Sequence, residues 1–131
     1  MSPASAYASY RNAEITTLNQ RDLIVKLYQG AERFLLQGAS HLEEGHRAKG
    51  LEAAHKARAI ISELLATLDL DRGGDVARQL QSLYTFCITH ILDATAKRDG
   101  AELRKLLPIL ANLREAWQQI PDDIARTGGS G

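Results

Sequence analysis

Two Glu-x-x-His pairs are the residues best placed for chemistry: Glu43 with His46, and Glu52 with His55. On a helix this spacing puts a carboxylate and an imidazole on one face, and inside a four-helix bundle it can build a carboxylate-bridged di-iron site. Position argues against that use. Glu43 and His46 straddle Gly45, which ends a helical pattern, and Glu52 and His55 open the next one near the same end of the bundle. A di-iron centre needs inward-facing ligands at mid-height, with a Glu from each of two further helices. The third and fourth helical patterns carry no mid-helix Glu on their apolar stripes, so both pairs read as solvated polar faces. His41 and His46 are five apart and do not share a helical face; any ion held there would be a stray. Cys87 lies on an apolar stripe and reads as a buried structural thiol rather than a nucleophile. No His and Asp spacing suggests a triad, and Gly73-Gly74 lacks the Lys and Ser/Thr of a phosphate-binding loop. The expectation is a protein that is no enzyme, with no metal and no cofactor.

The elements that position these residues are helical. Asn19 offers an N-cap, with Asp22 three residues on, and a helix is predicted from about Gln20 to Glu44, closed by Gly45. A second runs from about Arg47 to Leu68, with Ala54, Ala57, Ile61, Leu64 and Leu68 alternating in steps of three and four. After Gly73-Gly74, a third extends from about Asp75 to Lys97. Asp99-Gly100 marks the next turn, and a fourth follows from about Ala101 to Gln119, ended by Pro121. Pro108 sits inside this last helix and predicts a kink there, at about 3 kcal/mol for an interior proline. Gly30, inside the first helix, predicts a close approach by a neighbour, which would explain a residue costing roughly 1 kcal/mol relative to Ala. Four long helices with short links give an all-α fold, an antiparallel up-down four-helix bundle over residues 19–121. Residues 1–18 read as an N-terminal arm, mobile or short-helical, and 122–131 as a flexible Gly-rich tail.

Composition agrees. A chain of 131 residues has room for one core, and aromatics at only 5% leave that core to Leu, Ile and Ala, which suits helices better than sheet. Sixteen basic and sixteen acidic residues give a formal charge of zero, without the basic excess that general nucleic-acid binding requires. The N-terminal residues show no basic segment leading into an apolar run, and no stretch approaches the ~18 apolar residues of a membrane span. The expected location is the cytoplasm.

The stronger signal is surplus apolar surface. On a wheel of about 100° per residue, the apolar positions of the third helix, from Phe86 through Leu83, Cys87 and Tyr84 to Ile88 and Leu92, cover roughly 240°. One core needs a stripe little wider than about 100°. Ile88 and Leu92 fall at the far margin of the arc, and Val25 and Leu36 show the same excess on the first helix. Such an arc suits either a central helix packed on several sides or a second face for a partner helix or the N-terminal arm; the rival reading is a structural bundle whose extra face is a homodimer interface.

Four segments, in order, resemble one family. They are Ala6-Tyr7-Ala8-Ser9-Tyr10; the run from Leu27 to Leu35; the helix-and-turn from Ile60 through Leu64, Leu68 and Asp69 to Gly74; and Arg114-Glu115-Ala116-Trp117. Together they resemble the flagellin export chaperones of the FliS type. Asn19-Gln20, where the family often has Ser-Pro, and Pro108 are departures. The resemblance implies a four-helix-bundle chaperone that binds the disordered C-terminal segment of flagellin in the cytoplasm. It would block premature polymerisation and help present flagellin to the type III export gate, and the N-terminal arm would occupy part of the same surface. For that groove and its gate, Tyr7, Tyr10, Ile15, Tyr28, Tyr84, Ile88 and Leu92 are the expected contacts, with bundle packing the alternative for Tyr28 and Tyr84. Tyrosine suits a gate because its rigid apolar body carries a polar tip that tolerates water when uncovered.

Overall fold

The computed structural model describes residues 20–120. All regular structure among them is helical: α1 (Gln20–Glu43), α2 (Arg47–Ala66), α3 (Leu70–Ala96), α4 (Gly100–Arg104) and α5 (Leu107–Gln118). The last two form the fourth rod of an all-α bundle, as the sequence predicts.

α1 is the hub. It packs against α2, α4 and α5, while α3 packs against α2 and α4. Its apolar residues recur at helical spacing, and Leu27, Tyr28, Ala31, Leu35 and Ala39 are all buried. The α1–α2 pair approaches closely because small residues line it. A Cβ added at Gly38 would sit 3.3 Å from the Ala54 nitrogen and the Gly50 oxygen, and one at Gly50 would meet Leu42 Cδ2 at 2.7 Å. The tight approach expected at Gly30 lies at Gly38 and Gly50 instead; a Cβ at Gly30 would make only an ordinary 3.4 Å contact with Ile60.

α1 ends as its sequence predicts. Gly45 takes φ +81°. The His46 N–H donates to the His41 carbonyl at 2.8 Å and the Gly45 N–H to the Leu42 carbonyl at 3.2 Å, the paired bonds of a Schellman cap. α3 begins earlier than its predicted start at Asp75. Asp69 caps it, its carboxylate accepting from the Arg72 N–H at 3.1 Å, and Gly74 then breaks the helical path with φ +56° and ψ −134°.

The turn after α3 departs from expectation at Asp99-Gly100. The left-handed residue is Arg98, at φ +56°. Around it the Asp99 N–H donates to the Ala94 carbonyl at 2.9 Å and the Arg98 N–H to the Thr95 carbonyl at 3.1 Å, a second Schellman cap without glycine. Gly100 serves a different need: a Cβ there would lie 2.5 Å from the Ala39 carbonyl oxygen and 2.8 Å from Glu43 Cγ. Arg98→Gly should therefore stabilise the bundle by up to about 1 kcal/mol, because it removes left-handed strain from an exposed side chain. A denaturant midpoint below wild type would contradict this.

Pro108 causes less disruption than an interior proline. The helix ladder lapses at Lys105 and Leu106, although both keep right-handed helical dihedrals (φ −62°, ψ −23°; φ −80°, ψ −18°). The rod thus continues rather than ends. Pro108 falls in the first turn of α5, where a missing N–H leaves no internal bond unmade.

Polar ties close the bundle. Arg114 Nε donates to Glu32 at 2.8 Å, joining α5 to α1. Arg104 grips both Glu43 carboxylate oxygens at 2.7 and 2.9 Å, joining α4 to α1. The Arg21 guanidinium reaches the Ile120 carbonyl at 2.9 Å. Among the described residues no buried side-chain polar atom lacks a partner.

Candidate partner-binding face

Apolar residues left uncovered in a packed bundle mark where another chain could bind. Among the described residues the large exposed hydrophobics are Leu36 on α1 and Leu70, Val76, Phe86 and Leu92 on α3. Four of these five lie on α3, which makes that helix the candidate surface.

The buried side of α3 carries Ala77, Tyr84, Cys87, Ile91 and Ala94. Apolar groups then continue onto both flanks. On one, Ile88 is half-buried against the core and Leu92 is 49% exposed. On the other, Phe86 is 50% exposed and stacks against His90, with ring centroids 5.5 Å apart. His90 Nε2 lies 2.9 Å from the Glu102 carbonyl and 3.1 Å from its carboxylate, so this flank turns toward α4. The surplus foreseen at Ile88 and Leu92 is therefore distributed differently: Leu92 stands out, Ile88 belongs partly to the core, and Phe86 adds a second exposed margin. Phe86 already lay within the wide apolar arc of the sequence. Its place at the margin opposite Leu92 was the signal.

Tyr28 and Tyr84 occupy the core and present no surface. They are 0% and 2% exposed. Their hydroxyls share a short hydrogen bond across α1 and α3, their rings tilted with centroids 6.4 Å apart. Burial raises the pKa of both phenols, with the neighbouring tyrosine adding to the effect on Tyr28 and Trp117 acting the other way. The physical reason they are not an open gate is pairing: each supplies the partner that makes the other's burial affordable. Val25, expected to be surplus on α1, is likewise buried at 8% exposure, whereas Leu36 is exposed as anticipated. Tyr7, Tyr10 and Ile15 lie outside the described residues.

Cys87 and the two Glu-x-x-His pairs are not gathered into one site. Cys87 is fully buried, which pushes its thiol up to about 11 and suits an inert structural role. Glu43 is held by Arg104, whose hydrogen bonds lower its pKa. Glu52 pairs with Lys56 at 3.3 Å and His55 with Arg58 at 2.6 Å. Neither Glu-x-x-His pair forms a shared site. No helix among the described residues is long and apolar enough to cross a membrane.

The bundle thus has paired polar ties and apolar flanks on α3 that another polypeptide could cover. Comparison with known proteins narrows this. Residues 3–123 match the family described as flagellar protein FliS. The chain is 34% identical to the flagellar secretion chaperone FliS of Salmonella typhimurium over 118 residues, 89% of this chain and 87% of that one. It is 30% identical to the Vibrio cholerae chaperone of the same name, covering 86% of this chain and 82% of that one. With the Bacillus subtilis chaperone the identity is 26%, over 100% of this chain and 98% of the relative. The chain belongs to the FliS family of flagellar secretion chaperones, whose members are chaperones rather than enzymes.

Proposed function

We propose that this chain binds the disordered C-terminal segment of flagellin in the cytoplasm, keeps it from polymerising prematurely and assists its passage through the type III flagellar export gate. The observation that carries this reading is the apolar surface on both flanks of α3, centred on Phe86 and Leu92. An amphipathic segment laid along that helix would bury its own apolar face, gaining about 25 cal/mol per Å² before ordering costs. Because the client folds as it binds, lost chain entropy offsets part of that gain. No nucleotide is required: the chaperone acts stoichiometrically by covering surface. Tyr7, Tyr10 and Ile15 are proposed to compete for the same face as an arm that the client displaces.

The test is a calorimetric titration of the full chain with a peptide of flagellin's C-terminal segment, with sedimentation of the free chain alongside. The expected result is a one-to-one complex, with helical circular dichroism rising beyond the sum of the parts. A tight homodimer that takes up no peptide would replace this reading with a self-association interface.

A further inference from the structure

The turn that ends α1 gathers three metal-binding groups that the helix alone would keep apart. His41 lies on the last turn of α1, and Glu44 and His46 lie beyond its end. Residues five apart on a continuous helix point in different directions, which is why the sequence gives no sign of a shared site. The Schellman cap changes this. With Gly45 at φ +81° and the His46 N–H bonded back to the His41 carbonyl, the chain folds over its own last turn. His41 Nδ1 and His46 Nδ1 then stand 3.5 Å apart, with Glu44 Oε2 3.4 Å from His46 Nδ1. One ligand atom from each residue lies within 4.8 Å of the others.

We infer that His41, Glu44 and His46 form a surface site for a divalent borderline metal ion, of which zinc is the type. Tetrahedral bonds of about 2.0–2.1 Å require donor atoms roughly 3.3–3.4 Å apart, close to the two separations found. Two imidazoles and a carboxylate are a donor set that zinc, nickel and copper accept and magnesium or calcium disfavour. Three protein ligands leave the fourth position to water. Each imidazole presents its Nδ1 lone pair to an ion when its ring proton resides on Nε2. The helix end adds to the attraction, because the last carbonyls of α1 carry partial negative charge. Arg104, a cation tied to this end of α1, is bound to Glu43 and Ser40.

The other two described histidines are engaged elsewhere, His55 with Arg58 and His90 with Glu102. The site is therefore local to this turn. A bound ion would join the end of α1 to His46, the N-cap of α2, acting as a clip on the connection between them.

Zinc alone is the probe. A competition titration of the full chain against a zinc indicator should give one equivalent bound, and the thermal unfolding midpoint should rise as zinc saturates the site. His41→Ala and His46→Ala should each weaken binding at least about tenfold and abolish the midpoint shift, while Glu44→Gln weakens it less. His55→Ala should leave both unchanged. All three ligand positions are on the surface, so circular dichroism of the variants should match wild type. Wild-type binding that survives intact in the His41→Ala, His46→Ala double variant would overturn the site. So would the absence of any binding below about 100 μM, a free energy near −5.5 kcal/mol.

Discussion

Truncating Tyr84 to alanine should remove about 3–5 kcal/mol of unfolding free energy, a large part of the ~5–15 kcal/mol that holds a domain of this size. The residue is buried where α3 meets α1, and its hydroxyl is bonded to that of Tyr28. The hydroxyls can be separated from the rings. Tyr28→Phe or Tyr84→Phe alone strands one buried hydroxyl, at about 1–3 kcal/mol. Removing both leaves nothing stranded between them, so the double variant should cost less than the sum of the singles. Urea denaturation of the four proteins gives the coupling, expected at about 1–2 kcal/mol. Strict additivity would show that the bond contributes nothing.

The same pair sets the alkaline limit of stability. Both phenols titrate higher in the folded state than the ordinary tyrosine value near 10. The folded chain then holds protons that the unfolded chain releases, so stability is fully present below about pH 10 and falls as pH rises above it. Replacing both tyrosines by phenylalanine should flatten that decline.

Converting Phe86 and Leu92 together to aspartate should abolish binding of flagellin's C-terminal segment, a loss of at least about a hundredfold, with little change in the melt. Both side chains are already half in water, so the new carboxylates remain solvated and the stability cost should stay near 1 kcal/mol. Ile88→Asp is the contrasting variant. Ile88 packs against the core, so its carboxylate would be partly desolvated and the melt should drop markedly. Normal peptide binding by the Phe86, Leu92 variant would place the client elsewhere on the bundle.

Among the described residues, two of the segments that carry the family resemblance are partners of one another. Tyr28 and Glu32, from the segment on α1, meet Trp117 and Arg114, from the segment on α5. Asp69 and Gly74, from the helix-and-turn segment, cap and break the start of α3. Those wordings reveal the bundle because the bundle needs them. The proposed client face is written in a less distinctive script, as ordinary apolar residues in places a core does not require.

This explains what was legible. Helix ends marked by glycine with a positive φ, such as Gly45, are local and could be read directly. The same cap at Arg98 was hidden because its residue type gives no signal, and Gly100, two residues on, drew the turn too far along the chain. Its true reason, the Ala39 carbonyl 2.5 Å from where a Cβ would be, comes from another helix. The tyrosine pair was invisible for a similar reason: its members are 56 residues apart, and only the fold brings their hydroxyls together. At Pro108 the local rule held, but the chain met it by a lapse of two residues rather than by strain within a continuous helix.

The central position of α1 also sets an order of assembly. α1 and α2 form a hairpin of neighbouring segments whose small residues allow immediate close packing, so they can join while synthesis continues. The opposite flank of α1 waits for the end of the chain. The Arg114–Glu32 bridge closes over 82 residues and the Arg21–Ile120 bond over 99. Loop-closure entropy rises only slowly with such lengths, so the delay is one of availability more than of free energy. A nascent chain stopped before Leu107 would expose the side of α1 that α5 covers. Until its final helix emerges, this chaperone is itself an incompletely covered polypeptide, subject to the same hazard from which a chaperone protects its client.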